Sequence, residues 1–531
     1  MATTWPRYSW LPDMRSTASK AMKSDPALQL IVPPRMWAGF RQAMLASRFN
    51  QGEVIGFLFC TRHRVSPRKW RLLPKAWVVP TAECYEHQSM GGLALRQSFH
   101  WYLYKTYIER GLDVVHVHTH PHCNVPRFSA IDDYHEAEYA RFLSRLPGRL
   151  RLVSGVFDER MTQGRFRAWP IKPDWQPGPA ALSTKILEIL DADCADGGRE
   201  FACAARFDRQ RAFGLGVQES LGAIAVGLVG CGGIGAVFAE QLARLGVRRW
   251  VLVDPDVLEE TNLNRLPCAT PQMAARRWPK VRYVKRLIKT AWPAGSQVTS
   301  LCLPIEDRQA QRRLAACDLI VVATDNHRSR MLAQELALRY LRPLVSLGSH
   351  LEMDEACGSR RMLCRVTIPP VDGGWCLCCG DVVDATLAAL EVAPTALCSI
   401  VSAAGYLPGI AAPAVYWLNS CCASLGVFVI HGVISGLLDI ESGLDWVVDF
   451  GCRKWLEVAH DEQPDCLYCS VDGLLASGDS SGGFEMRPME SMPAMASIST
   501  QSTSPLLAGA GENANEARHI GAGFAKEEQE R

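Results

Sequence analysis

Apolar and polar positions alternate differently in the two halves of this chain. Up to about residue 170, short apolar runs such as Val54–Cys60 and Val114–Val117 predict strands, and the region ends near Trp169-Pro170. From about 201 to 470, apolar strands (Ala223–Val229, Trp250–Asp254, Leu319–Ala323, Leu344–Leu347) alternate with helical stretches such as Ile234–Leu245. That alternation predicts a doubly wound α/β sheet. Between the halves, the prolines and glycines of KPDWQPGPA favour a loop, and Leu182–Leu190 reads as a short helix, so 171–200 is predicted to be a linker. Beyond Cys469 the sequence turns to Ser, Gly, Met, Ala and Pro and finishes on KEEQER, which predicts a disordered tail over 474–531.

Composition narrows the classes. A chain of 531 residues with 48% hydrophobic content is long enough for two or three packed cores. Its 57 basic and 55 acidic residues leave a net charge of +2, so there is no electrostatic case for a nucleic-acid or anionic-membrane partner. Twenty cysteines without a charged-then-apolar leader are read as reduced thiols and metal ligands in a cytoplasmic protein. Ser399–Leu438 is almost wholly small and apolar, but Gly405, Pro408, Gly409, Pro413, Asn419 and Gly426 interrupt it. Buried helices, not a membrane span, are expected there.

Two motifs carry chemistry. In the first half, His118 and His120 stand two residues apart at a strand end, so their side chains share a face and can ligate one ion. His116/His118 and His120/His122 offer competing frames, and Pro121 selects His118/His120. Asp132 supplies a third ligand, which leaves one position of a tetrahedral zinc open to water and lowers the pKa of that water to about 7. Glu53, at the start of EVIGFLFC, is the candidate proton shuttle, and Ser129 the donor to the oxyanion. Residues 25–170 with these five positions resemble the JAB/JAMM (MPN-type) isopeptidases. Here eight residues separate His120 from Ser129, one more than that family's usual spacing.

In the second half, a strand, a GCGGIG turn and a helix place Gly230, Gly232, Gly233 and Gly235 where backbone N–H groups favour phosphate. Taken alone this pattern serves NAD, FAD or ATP. The neighbouring RFDRQ, DPDVLEETNLNR, Lys280 and ATDNHRSR resemble the ThiF/MoeB and ubiquitin-activating superfamily, over residues 201–473. The resemblance implies that Arg265 and Lys280 hold the triphosphate of ATP, that Asp325 coordinates Mg2+, and that Asp254 binds the ribose. Asn262 shapes the pocket, and Arg209 reaches the nucleotide of a partner copy, which implies a homodimer. Two CxxC pairs, Cys376/Cys379 and Cys466/Cys469, suit a structural four-thiolate zinc, and Cys398 is the candidate acceptor thiol.

The expected protein is therefore α/β throughout, a JAB-like metallopeptidase domain followed by a Rossmann-like ThiF-type domain. Both resemblances imply an enzyme that trims a ubiquitin-like protein at its C-terminus and adenylates the exposed carboxylate for a conjugating enzyme. A sulfur-carrier protein as substrate, for cofactor synthesis, and a non-catalytic scaffold are the alternatives.

Overall fold

The computed structural model describes residues 27–47, 52–67, 69–121, 126–169, 185–186, 188–189, 205–293, 295–353, 360–391 and 414–480. The amino-terminal half is built on β1 (Ala27–Leu30), β2 (Ile55–Ser66), β3 (Lys69–Val78), β6 (Asp113–His120), β7 (Leu152–Asp158) and β8 (Gly164–Ala168), with a small β4–β5 hairpin (Tyr85–Ser89, Gly92–Leu95). Two short strands, β9 (Lys185–Ile186) and β10 (Glu188–Ile189), complete an eight-stranded sheet of order β10-β1-β3-β2-β6-β7-β8-β9. Within the span Leu182–Leu190, where a helix is expected, the described residues 185–186 and 188–189 are strands. Pairing with β8 and β1 satisfies backbone groups on both edges of the sheet, which outweighs the local helical pattern.

Helix α1 (Pro34–Ala46) covers one face of this sheet, where Phe40 and Met44 pack with Leu58, Cys60, Val115 and Val117. The other face is covered by α2 (Gln97–Leu103) and α3 (Ala130–Arg145), through Phe99, Leu103, Ala137, Ala140 and Leu143 against Phe57, Phe59 and Val114. Central strand β2 is buried on both faces, which is why its first six residues form a continuous apolar run. A Cβ on Gly56 would lie 2.6 Å from Met44 Sδ, so this glycine sets how closely α1 approaches.

The carboxyl-terminal half is a second eight-stranded sheet of order β13-β12-β11-β14-β15-β16-β17-β18. Its strands are β11 (Ala225–Val229), β12 (Arg249–Val253), β13 (Gln297–Leu301), β14 (Leu319–Val322), β15 (Leu344–Met353), β16 (Arg360–Ile368), β17 (Leu444–Asp449) and β18 (Lys454–Glu457). β13 to β15 are paired in parallel, and β15 to β18 are antiparallel. The helices are α4 (Leu215–Ala223), α5 (Gly233–Leu245), α6 (Pro271–Ala275), α7 (Lys280–Ala291), α8 (Arg308–Ala315), α9 (His327–Tyr340), α10 (Ala385–Leu390) and α11 (Tyr416–Ser435). α5, α7 and α11 bury Phe238, Leu242, Val284, Leu418 and Val427 on one face. On the other face, α8, α9 and α10 bury Leu314, Leu332, Leu336 and Ala388. Helix α11 is long and apolar enough to cross a membrane by length and composition, with half of its 18-residue window buried. Leu418, Cys422 and Ile430 are inside, and Trp417 and Phe428 are exposed.

The halves are clasped together. Ile31 and Leu73 join one apolar cluster with Leu338, Leu341, Cys376, Cys469, Leu475 and Ala476. Arg71, 2% exposed, donates to Ala315 O and Asp318 Oδ1 at 3.4 and 3.3 Å. Residues 473–480 run across β2 and β3, where Lys75 Nζ donates to Leu475 O (2.7 Å), Thr61 Oγ1 to Ala476 O (2.6 Å) and Asp479 N to Arg62 O (2.8 Å).

Candidate functional sites: a histidine–carboxylate cluster, a thiolate knuckle and a glycine turn

Strand β6 alternates Val115, Val117 and Thr119 with His116, His118 and His120, so all three histidines share the face that α3 covers. Ser129 is the N-cap of α3. Its Oγ accepts from Asp132 N (3.2 Å) while Asp132 Oδ2 accepts from Ser129 N (2.6 Å), a reciprocal capping box. The cap fixes the first turn of α3 and swings Asp132 onto the histidines. His118 Nε2 lies 3.2 Å from His120 Nε2, and these nitrogens lie 3.4 and 3.5 Å from Asp132 Oδ1 and Oδ2. Ligands at zinc–nitrogen and zinc–oxygen bond lengths on a tetrahedron are separated by roughly 3.3 Å. The His118–His120 edge matches that spacing, Asp132 faces the two nitrogens with a different oxygen each at a like distance, and one ligand atom from each residue lies within 4.8 Å of the other two, a set able to hold a metal ion.

Electrostatics agree. Burial alone would raise Asp132, but hydrogen bonds from His118 and His120 hold its carboxyl far below the usual range. Burial pushes His118 down toward the neutral form that ligates metal, while the hydrogen bond with Asp132 raises His120. Glu53 stands at the mouth, with Oε1 4.0 Å from His120 Nε2. The β4–β5 hairpin braces it, because Glu53 N donates to Ser89 O (2.8 Å) and Gln88 Nε2 to Glu53 O (2.8 Å). Burial raises the Glu53 carboxyl above its ordinary value. That placement suits a carboxylate acting on a water and not ligating directly. Ser129 keeps its hydroxyl proton for another acceptor, since the cap uses the oxygen as an acceptor only.

Behind these ligands lies a buried polar lattice that the sequence reading did not single out. Glu136, one turn after Asp132 and 3% exposed, faces His116 Nε2 at 3.2 Å and accepts from Arg167 Nε at 2.7 Å. Arg167 is held between the rings of Phe128 and Trp169, at 3.7 and 4.8 Å. Trp169 Nε1 and His116 Nε2 both meet Ser154 Oγ, at 3.0 and 2.8 Å. His116, His118 and Glu136 are close enough to suggest a second ion, but the Arg167 guanidinium already neutralises Glu136. Glu136→Gln is expected to lower stability by roughly 3 kcal/mol, because it leaves the buried Arg167 guanidinium without the Glu136 carboxylate. Urea denaturation reads this directly.

The second pair of motifs meets as well. The Sγ atoms of Cys376 and Cys379 lie 3.6 Å apart, Cys376 and Cys466 3.9 Å, and Cys379 and Cys469 3.8 Å. Four thiolates around zinc stand roughly 3.8 Å apart, so the set fits. Cys378 falls outside this set of four and accepts from Gln334 Nε2 at 3.4 Å, in keeping with the Cys376/Cys379 register of CLCC. Cys469→Ser is expected to cost one bound zinc per chain and to lower the thermal midpoint, measured by metal analysis and calorimetry. Cys398 lies outside the described residues.

The glycine turn joins β11 to α5 at the point where the strand order reverses, between β11 and β14. Gly230 adopts φ +91°, and a Cβ there would meet Ala323 O at 2.7 Å. A Cβ on Gly235 would lie 2.0 Å from Gly230 O, whereas no atom of the described residues lies within 4 Å of one on Gly232. Two glycines are therefore required by the turn, and among the described residues Gly232 has open space at the helix N-terminus. Gly235→Ala is expected to cost about 3 kcal/mol or more and to abolish nucleotide binding, checked by urea denaturation and titration with ATP.

Asp254, 6% exposed, accepts from Cys231 N (2.6 Å) and Asp256 N (2.8 Å), so its carboxylate also holds the turn in shape. Lys280 Nζ pairs with Asp256 Oδ2 at 2.7 Å, which tethers the cation beside the same loop. Asn262 Oδ1 accepts from Glu259 N (3.1 Å), and Arg265 donates to Thr261 O (2.7 Å) with its Cδ against Gly233. Asp325 follows β14 and is exposed, as is Arg209. One neighbour was missed by sequence reasoning. A Cβ on Gly233 would lie 2.4 Å from Asn419 Nδ2, and Ser349 Oγ donates to Asn419 Oδ1 at 2.8 Å. Its only signal was a single amide in an otherwise apolar helix.

Sheet order and glycine turn together define a doubly wound α/β domain. Residues 207–412 match the ThiF family. Among curated proteins, the chain is 26% identical to the sulfur carrier protein ThiS adenylyltransferase of Bacillus subtilis (strain 168), over 34% of this chain and 56% of that protein. It is 31% identical to the Caenorhabditis elegans ubiquitin-like modifier-activating enzyme 5, over 24% of this chain and 29% of that one. With the adenylyltransferase and sulfurtransferase MOCS3 of Sus scrofa the identity is 33%, over 40% and 42%. The chain thus spans about half or less of these relatives. Among solved structures, Escherichia coli MccB with AMPCPP and MccA covers 51% of this chain and 76% of its own, at 18% identity and a TM-score of 0.41.

Proposed function

We propose that this chain is a bifunctional enzyme that hydrolyses the peptide or isopeptide bond after the C-terminus of a ubiquitin-like protein and then adenylates the freed carboxylate with ATP. The observation that carries the reading is the convergence of His118, His120 and Asp132 beside Glu53, upstream of a ThiF-type glycine turn. A zinc bound at the cluster supplies an acidified water and a Lewis-acidic face. Glu53 takes the water proton and passes it to the leaving amine, and Ser129 donates to the carbonyl oxygen as charge builds there. In the other half, the backbone N–H groups of the glycine turn, Arg265 and Lys280 hold the phosphates, and Asp325 holds Mg2+. The carboxylate attacks the α-phosphorus, the bond to the bridging oxygen breaks, and pyrophosphate leaves. The Cys376, Cys379, Cys466 and Cys469 set holds a structural zinc. A homodimer in which Arg209 serves the partner's nucleotide, a cytoplasmic location and hand-over to a conjugating enzyme belong to the same reading.

ATP–pyrophosphate exchange tests it, with ubiquitin-like proteins whose tails end at Gly-Gly or run beyond it. Exchange with extended tails only when His118 and His120 are intact supports the reading, and exchange with neither form overturns it. A second reading, activation of a sulfur-carrier protein for cofactor synthesis, is favoured by the names of the Bacillus subtilis and MOCS3 relatives. A thiocarboxylate on the substrate, seen by intact-mass measurement, would select it. Unchanged cellular function in Glu53→Gln and Asp325→Ala chains would instead select the non-catalytic scaffold.

A further inference from the structure

We infer that the two active sites of one chain face opposite ends of the molecule, so that a tail cleaved at the first is released to solvent before it is adenylated at the second. This rests on the bifunctional reading above and concerns how the product travels. In the carboxyl-terminal half, the glycine turn and the two assigned carboxylates each follow a parallel strand at its carboxyl end. The glycine turn comes after β11, Asp254 after β12 and Asp325 after β14. The amino-terminal half docks at the other end of those same strands. Arg71 bonds Asp318, whose Oδ2 accepts from Ala225 N at 2.9 Å at the very start of β11. The His63 ring lies 4.1 Å from that of Tyr340, tilted by 39°, at the end of α9 before β15 begins.

The same opposition holds on the other side of the interface. Glu53 precedes β2 and His118 and His120 end β6, and Ile55 pairs with His118, so the metal cluster lies at the start of β2. The clasp is made by Thr61, Arg62 and His63 at the other end of β2, and by Arg71 and Lys75 on β3, where Arg71 pairs with His63. From Phe59, opposite the strand position next to Lys75, back to Glu53 is about 20 Å of strand, and Ala225 to Gly230 is about 16 Å. A ubiquitin-like protein seated at one site cannot present its tail to the other.

A trap measures the routing. A labelled ubiquitin-like protein extended beyond Gly-Gly is mixed with full-length enzyme, zinc, Mg2+ and ATP, in the presence of a tenfold excess of unlabelled mature protein. Hydroxylamine captures the acyl-adenylate as hydroxamate. Release predicts that early labelled hydroxamate falls about tenfold, by mass action. Undiminished label would overturn the inference, whether the transfer ran within a chain or across a dimer. Cleavage without ATP, and exchange with mature protein, are run alongside, because loss of either speaks against the bifunctional reading and not against the routing. A structure with zinc and AMPCPP bound gives an activity-free measure. A metal to α-phosphorus distance well beyond the roughly 16–20 Å of either strand span is expected, and one below about 15 Å would overturn the inference.

Discussion

Replacing Glu53 by glutamine is expected to slow cleavage of an extended ubiquitin-like tail by about 10²- to 10⁴-fold while zinc stays bound. The separation of effects follows from geometry. The ligand edges are made by His118, His120 and Asp132 alone, with Glu53 4.0 Å from His120 Nε2 and braced through its own backbone. Glutamine keeps the shape and both backbone bonds but cannot take a proton. The measurement is kcat/KM on the extended substrate, paired with zinc content. A loss under threefold would mean that Glu53 lines the mouth without acting on the proton. Asp132→Asn should behave differently, losing zinc as well as rate, because Asp132 also anchors the cap of α3.

Asp325→Ala is expected to lower ATP–pyrophosphate exchange by roughly 100-fold or more and to leave cleavage by the same protein unchanged. The reason lies in how the carboxylates around the glycine turn are used. Both oxygens of Asp254 accept backbone N–H groups, and Asp256 is paired with Lys280. Asp325 is exposed just beyond β14, beside the strand that feeds the turn, a position that suits it to Mg2+. If exchange survives, the metal is held elsewhere and the assigned role fails. Unchanged cleavage serves as the internal control for folding.

The sequence made the ligand sets legible because each rests on local spacing. His118 and His120 share a face by the period of a strand, Ser129 and Asp132 fall at the spacing of a capping box, and CxxC pairs have a fixed reach. Four strands of the second sheet, β11, β12, β14 and β15, were likewise visible as apolar runs, since a parallel sheet is buried on both faces, whereas the half-exposed β13 and the antiparallel β16 to β18 were not. What escaped depends on contacts between distant segments. Glu136 looks like any helical carboxylate until Arg167 and His116 meet it from β8 and β6. Asn419 gains meaning only because α11 crosses over the glycine turn. The pairing of residues 185–189 with both sheet edges reversed a local preference for helix.

The thiolate knuckle has a reach beyond its own domain. Cys376 and Cys469 belong to the same apolar cluster as Ile31 and Leu73, and the segment leaving Cys469 is the one that crosses β2 and β3. Zinc bound there would fix the origin of a strap whose far end is fastened to the amino-terminal half. Its loss would slacken that strap and leave the apolar cluster and the Arg71–Asp318 contact to hold the halves together. Zinc supply would then tune the stiffness of the joint between them.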